Sequence, residues 1–394
     1  MQSDGSGLNG RDVNFFESRP SGATRDFRIV RDELRPHLLE ALEKARSPVL
    51  HGDILGALKY LDSDVEHDSE GRDLNFDKRS FSRTELQVAH RQAPANVARY
   101  LVYRFRFNHY PRNHELTDFP ILLAIEPTSV CNLRCVMCFQ ADKSFTGDRS
   151  SMGYMDLDLY KRVIDEGSQH GLCAVVLASR GEPLLHPKIG EMIAWAKRRG
   201  VLDVKLNTNA TNLTDERIRS LLDARLDTLV FSIDSYEKEE FERIRPPAKF
   251  ATVIRNIERF HEIREREYSG YPTRTRVSMV RLGPDQDVEA AYRFWKGRVD
   301  EFGHRWVIDR LHIYDLNLVE LARPCSLLWE RLYVWFDGIV NPCDEDYKSR
   351  LRVGTTPARS IRDLWHSPDM QRYRQSHMTG RKNDLHPCDH CNGF

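Results

Sequence analysis

Apolar positions along the chain change their spacing near residue 118. Before it they recur every three to four residues, as on one face of a helix. Ile29, Val30, Leu34, Leu38, Leu39 and Leu42 mark a helix from Phe27 to Lys44. A polar stretch from Asp62 to Thr84 reads as a loop, and a second helix is expected from about Glu85 to Tyr103. Beyond residue 118, short apolar runs alternate with amphipathic segments, the pattern of an α/β domain on a parallel sheet. Strands are expected at Ile121–Glu126, Ala174–Ala178, Val204–Asn207, Thr228–Asp234, Arg276–Val280 and near Trp306–Ile313. Helices between them are expected at about Met155–Glu166, Ile189–Arg198, from Thr214, at Thr252–Arg266 and at Val288–Val299. Further on, Asp337-Gly338 between two β-rich runs is a hairpin signal, and a helix is expected from about Ser360 to His377. The first 25 residues, rich in Gly, Ser and Asp, read as a disordered tail.

Composition narrows the class. The 394 residues allow two or three domains, and 59 basic residues balance 59 acidic ones. No overall field draws the chain to nucleic acid or an acidic membrane surface. No run approaches the roughly 18 apolar residues of a membrane helix, and Met1 to Gly7 lack the apolar segment of a signal peptide; a cytoplasmic protein is expected. Between Tyr100 and Tyr110, Arg104 and Arg106 interleave with Tyr103, Phe105 and Phe107. That patch suits either nucleic acid or packing in which arginine stems cover apolar surface.

Eight cysteines carry the candidate chemistry. They cluster as Cys131, Cys135 and Cys138 and as Cys388 and Cys391, which suits metal ligation better than disulfides. Three thiolates on one loop can hold three corners of a [4Fe–4S] cubane and leave the fourth iron open, whereas redox clusters use four cysteines. Zinc is the alternative, although it prefers four closed ligands.

Cys-x3-Cys-x2-Cys directly after a hydrophobic strand resembles the signature of the radical S-adenosylmethionine (radical SAM) superfamily. The resemblance implies a SAM-binding [4Fe–4S] cluster on Cys131, Cys135 and Cys138, with SAM chelated to the open iron. Reduction would then release a 5′-deoxyadenosyl radical that abstracts hydrogen from substrate. It also implies a partial (β/α)6 barrel, in which functional loops gather at the C-terminal ends of the strands. Gly181-Glu182-Pro183 resembles the motif that meets the SAM ammonium, with Arg180 where a glycine is usual. Ser232 and Asp234 resemble positions that bind SAM ribose or carboxylate. Asn207 stands at an equivalent strand end, and Met137 lies where the family places an apolar residue near adenine. Val277 and Met279 could add to an adenine wall or be plain core.

Cys325, Cys343, Cys388 and Cys391, with the hairpin between the first two, resemble the C-terminal SPASM/twitch extension and imply one auxiliary [4Fe–4S] cluster. Four cysteines would also complete a zinc site. Cys173 remains and reads as a buried, inert thiol. The expected organisation is a tail (1–25), a mainly helical N-terminal region (26–117), the barrel (118–315) and a small α+β extension (316–394).

With seven cysteines assigned to clusters, none remains as a hydrogen donor at the barrel mouth, and an auxiliary cluster could accept an electron. The leading expectation is therefore dehydrogenation of a sugar or aminocyclitol-type small molecule by a radical SAM oxidoreductase fed by flavodoxin or ferredoxin. The alternatives are maturation of a ribosomally made peptide, sugar epimerisation, and a non-enzymatic zinc-binding interaction protein.

Overall fold

A computed structural model of the chain describes residues 14–17, 27–63, 79–270, 273–315 and 323–391. Most of the expected tail, and most of the polar stretch from Asp62 to Thr84, lie outside these residues. Asn14–Glu17 (β1) does not fit the expected tail: it forms an edge strand. Four helices follow: α1 (Phe27–Lys44), α2 (Pro48–Asp62), α3 (Arg83–His90) and α4 (Pro94–Asn113). The single helix expected from Glu85 is two. Ser82 caps α3 in a reciprocal box with Glu85, and Pro94, which lacks an N–H, suits the first turn of α4 rather than a helix interior.

The strand–helix series begins with β2 (Leu122–Ile125), followed by a long loop carrying the short helix α5 (Lys143–Thr146), and then α6 (Leu157–Gln169). It continues with β3 (Ala174–Leu177), α7 (Ile189–Arg198), β4 (Asp203–Thr208) and α8 (Asp215–Asp223). Next come β5 (Thr228–Ser232), α9 (Lys238–Ile244), α10 (Phe250–Glu267), β6 (Arg274–Arg281), α11 (Val288–Trp295) and β7 (Glu301–Trp306). Strands β2 to β7 run parallel in chain order and β1 caps β7 antiparallel. The last strand thus lies at Glu301–Trp306, not at Trp306–Ile313. Here Phe302 enters the core shared with the helices, while Val307 onward leaves the sheet.

The C-terminal part adds β8 (Arg331–Val334), β9 (Ile339–Asn341), β10 (Gly354–Thr355), α12 (Ile361–Trp365) and α13 (Pro368–Met378). The hairpin turns at Gly338, whose φ of 84° favours glycine. β8 pairs in parallel with β2, so the extension continues the barrel sheet. The helix expected over Ser360–His377 is broken at Ser367, which caps α13.

Side chains alternate along each strand. Leu123, Val175, Val204, Leu206, Leu229, Phe231, Val277, Met279 and Phe302 enter the core shared with the helices. Val277 and Met279 are therefore core residues, and Arg276 and Ser278 occupy the concave face. The N-terminal helices pack on the lower end of that concave face through Leu122, Ala174 and partly buried Val176, with Cys173 buried in the same cluster. Tyr103 donates to Asp203 at 3.3 Å, which sets α4 as a floor under the barrel. The basic–aromatic patch is used internally. Arg104 pairs with Glu85 (Nε to Oε1, 2.7 Å) and lies over Phe107, and Arg106 pairs with Asp53. Among the described residues, no helix is long and apolar enough to cross a membrane.

Candidate functional site

The cysteine loop leaves the C-terminal end of β2 and is held on every side. Its Thr128 hydroxyl donates to the Gly153 carbonyl at 2.7 Å, and the Glu182 N–H donates to the Val130 carbonyl at 2.9 Å. The Arg134 and Val136 N–H groups donate to the Pro246 and Ile244 carbonyls at 2.8 and 3.0 Å. Asn132 accepts from the Asn209 amide at 3.0 Å. Leu133 is buried beneath the loop, and Met137 is half-buried against the main core. Burial pushes Cys131 up to about 12, with Glu182, Cys135 and Cys138 adding to the rise, and pushes Cys135 up to about 11, where Arg245 opposes the rise and Cys138 adds to it. A metal bound here must displace those protons.

Arg245 is the residue that the sequence did not disclose. Its Nη1 lies 3.8 Å from the Cys135 sulfur, and its Nε donates to Asp234 at 2.7 Å. Asp234 is fully buried and also accepts the Val280 N–H at 2.9 Å. Its carboxylate is enclosed and committed to Arg245. It does not cap α9, whose N-cap residue is Glu237.

Glu182 is buried beside the loop. One oxygen accepts from the Leu184 N–H at 3.1 Å and the Thr208 hydroxyl at 2.7 Å, and the other accepts the Asn209 N–H at 2.8 Å. Burial raises its pKa, the hydrogen bonds oppose that rise, and its charge registers at Cys131. Gly181 lets the two loops touch: a Cβ there would sit 2.2 Å from the Thr128 carbonyl oxygen and 2.5 Å from that of Val130. Both neighbours are backbone and cannot yield cheaply. Gly181→Ala is expected to cost about 1–3 kcal/mol through overpacking and to lower iron retention at Cys131, read as a lower thermal midpoint and faster iron loss to a chelator.

Arg180 has a role of its own. It is buried, donates from Nε and Nη2 to Glu126 at 2.8 and 2.7 Å and from Nη1 to the Tyr347 carbonyl at 3.0 Å, and stacks 4.4 Å from the Trp335 ring. It joins the barrel to the C-terminal extension, which explains a large residue at a position where glycine was expected. Just before it, Ser179 has φ of 135° and a buried hydroxyl without a partner. Strain of that kind concentrates at ligand sites. Ser232 and Asn207 stand on the concave face at the ends of β5 and β4, and Asn207 Oδ1 is buried without a partner.

Cys325, Cys343, Cys388 and Cys391 line one cavity with about 580 Å³ of free space, part of it open to solvent. His377 lines it too. Its Nδ1 accepts the Cys325 N–H at 3.2 Å, its buried Nε2 has no partner, and burial pulls its pKa down to about 4. The two cysteine sets are neighbours, since Cys138 and Cys391 both pack against the patch formed by Phe139, Phe145, Ile313, Tyr314 and Tyr347.

These donors fit iron–sulfur clusters. Among the described residues, the His, Cys, Asp or Glu donors gathered within 4.8 Å of one another are those of His386, Asp389 and His390. Three thiols on one loop and four around one cavity are soft donors of the kind that suits iron–sulfur clusters. The partnerless Ser179 hydroxyl and the buried Glu182 carboxylate fit a polar, cationic ligand beside the three-cysteine loop.

Residues 125–293 match the radical SAM superfamily, and residues 325–392 match an iron–sulfur cluster-binding domain of the SPASM type. The chain is 37% identical over 113 residues to the tungsten-containing aldehyde ferredoxin oxidoreductase cofactor-modifying protein of Pyrococcus furiosus, covering 28% of this chain and 30% of that protein. It is 35% identical over 144 residues to the AdoMet-dependent heme synthase of Methanosarcina barkeri, covering 36% of this chain and 40% of that one. The alignments thus span less than half of these relatives. Among solved structures, Streptococcus suis SuiB bound to its precursor peptide SuiA superposes with a TM-score of 0.51 at 14% identity, covering 72% of each chain. Native anSMEcpe with bound AdoMet gives a TM-score of 0.51 at 15% identity, covering 65% of this chain and 83% of that one.

Proposed function

Because the chain belongs to the radical SAM superfamily and ends in a SPASM-type iron–sulfur region, we propose that it catalyses the dehydrogenation of a sugar or aminocyclitol-type small molecule. When bound, SAM on a [4Fe–4S] cluster supplies a hydrogen-abstracting radical, and an auxiliary cluster supplies an electron acceptor. Cys131, Cys135 and Cys138 hold the first cluster, and Cys325, Cys343, Cys388 and Cys391 hold the second.

The remaining roles belong to the protein's own groups. Glu182, already anchored by three donors, offers its carboxylate to the SAM ammonium through a charge-assisted hydrogen bond. Ser179 and Ser232 offer hydroxyls to the same ligand, and Met137 offers an apolar surface to its adenine. The Arg245 guanidinium stabilises negative charge on Cys135. The N-terminal helices cover the lower end of the concave face through Leu122, Ala174 and Val176. Flavodoxin or ferredoxin would serve as the external reductant.

One observation carries oxidation over a redox-neutral reaction: both cysteine sets abut a single aromatic patch. A redox-neutral reaction needs no second site so close to the first. Cys173, the remaining thiol, is buried with the N-terminal helices away from the cysteine loop, so it is not placed to return a hydrogen atom.

The test uses anaerobically reconstituted protein, deuterated sugars and aminocyclitols, SAM and a strong reductant. The expected result is one 5′-deoxyadenosine, carrying substrate deuterium, for each ketone formed. Solvent deuterium in a recovered isomer would show epimerisation instead, and a cross-linked peptide product would show maturation.

A further inference from the structure

One turn apart on α13, Tyr373 and His377 line the cavity of the C-terminal cysteines, beside Cys325, Cys343, Cys388 and Cys391. Both side chains are buried. Asp346, Glu345 and Lys382 share this lining and are engaged by protein partners. Asp346 accepts from the Tyr314 hydroxyl at 2.8 Å and from the Leu351 N–H at 2.7 Å. Glu345 pairs with Arg310 at 2.9 Å, and the Lys382 ammonium donates to the Cys391 carbonyl at 3.4 Å. His377 is engaged through one of its two nitrogens.

That engagement fixes where the ring hydrogen sits. His377 Nδ1 accepts the Cys325 N–H at 3.2 Å. An imidazole nitrogen that accepts carries no hydrogen, so the hydrogen of this ring stands on Nε2. Nε2 is buried and meets no acceptor among the described residues. A nitrogen bearing hydrogen has no in-plane lone pair for a metal, which makes it a donor and not a ligand. A buried donor without an acceptor is unfavourable, and the acceptors that a cluster brings to this cavity are its sulfurs.

We propose that the His377 Nε2–H group donates a hydrogen bond to a sulfur of the auxiliary cluster and raises that cluster's reduction potential. The inference rests on the cluster assignment above and gives the electron acceptor a tuning residue. Reduction adds one electron, and so negative charge, to the iron–sulfur core. A hydrogen bond to sulfur stabilises the more negative state more, which moves the potential upward. The Nδ1 contact orients the ring from the backbone of Cys325, so one residue both steadies a ligand and tunes what the ligand holds.

Two substitutions separate the two nitrogens. His377→Asn sets an amide oxygen near the place of Nδ1 and loses the donor at Nε2. His377→Gln keeps an amide donor near the place of Nε2 and loses the Nδ1 contact. EPR-monitored redox titration of the reconstituted full chain reads the potential, the auxiliary signal being the one that Cys343→Ala removes. At a fixed potential His377→Asn should lower the ratio of reduced to oxidised auxiliary cluster about tenfold, a downward shift of about 59 mV for one electron. His377→Gln should stay close to wild type. A second measurement needs no variant: pulsed EPR on wild-type chain carrying nitrogen-15 histidine should show a weak nitrogen coupling and an exchangeable proton on the reduced auxiliary cluster.

An unmoved potential in His377→Asn would overturn the proposal, as would a nitrogen coupling that is absent or as large as direct iron ligation gives. A shift in His377→Gln with none in His377→Asn would also overturn it, by leaving the ring as a backbone anchor for Cys325. Wild-type protein with no iron in the second cavity would overturn the cluster assignment and this inference together. The expected shift, in a chain that oxidises no sugar or aminocyclitol, would support this inference and sink the dehydrogenase reading alone.

Discussion

Replacing Cys131, Cys135 and Cys138 together with alanine is expected to halve the bound iron, from about eight to about four atoms per chain, and to reduce SAM cleavage to background. The three thiols share one loop, and Cys135 and Cys138 both raise the titration of Cys131. Their removal deletes a complete ligand set without touching the second cavity, whose four cysteines come from the C-terminal extension. Cys343→Ala should do the converse, removing the auxiliary iron while leaving the first site's iron in place. Iron and acid-labile sulfide assays on anaerobic protein, beside a 5′-deoxyadenosine assay, separate the two. Cleavage that survives in the triple variant would refute the placement of the reactive site, and wild-type protein holding zinc without iron would refute the cluster assignment.

What the sequence made legible was what local spacing encodes. The three cysteines, the strand ends that carry Glu182, Asn207 and Ser232, and the Asp337-Gly338 turn are short-range signals. Period-two and period-3.6 patterns were enough to locate five of the six barrel strands. The misses share one physical cause, a partner distant in sequence. Arg180 reads as a departure from a glycine pattern until Glu126, Trp335 and Tyr347 surround it. The ion pair of Asp234 with Arg245, eleven positions on, leaves no mark in local spacing. β1 is a strand through pairing with β7, nearly three hundred residues later. The N-terminal helices carry no motif, and their contribution, a floor beneath the lumen, is a matter of packing alone.

The hairpin illustrates the same point at the level of domains. Sequence places a boundary near residue 316 because the cysteine pattern changes there. The sheet crosses that boundary, since β8 lies alongside β2, the strand that launches the cysteine loop. Arg180 ties the same two regions from the loop side, and Arg310 adds a third tie by pairing with Asp344 and Glu345 beside Cys343 while its charge registers at Cys138. A change in the extension is therefore transmitted to the first site through the sheet, the buried Arg180 and the half-buried Arg310.

Arg245→Met is expected to destabilise the protein by about 3–5 kcal/mol, because it leaves the enclosed Asp234 carboxylate without its counter-ion. The guanidinium makes two contacts with separable consequences. Its pairing with Asp234, at 2.7 Å, concerns folding. Its Nη1, 3.8 Å from the Cys135 sulfur, concerns the charge that a metal-bound thiolate carries. Replacing the whole pair with apolar residues separates the two, since exchanging both partners of a buried ion pair is often neutral. Arg245→Met with Asp234→Leu should recover most of the thermal midpoint lost in the single variant. Iron at the three-cysteine site should nevertheless stay labile in the double variant and leave faster to a chelator than in wild type, because Cys135 still lacks its donor. Melting of the metal-free chain reads the first effect, and chelator kinetics on reconstituted protein reads the second. A double variant that holds its iron as firmly as wild type would reduce Arg245 to a purely structural residue. A single variant that melts like wild type would mean that Asp234 is not charged in the fold.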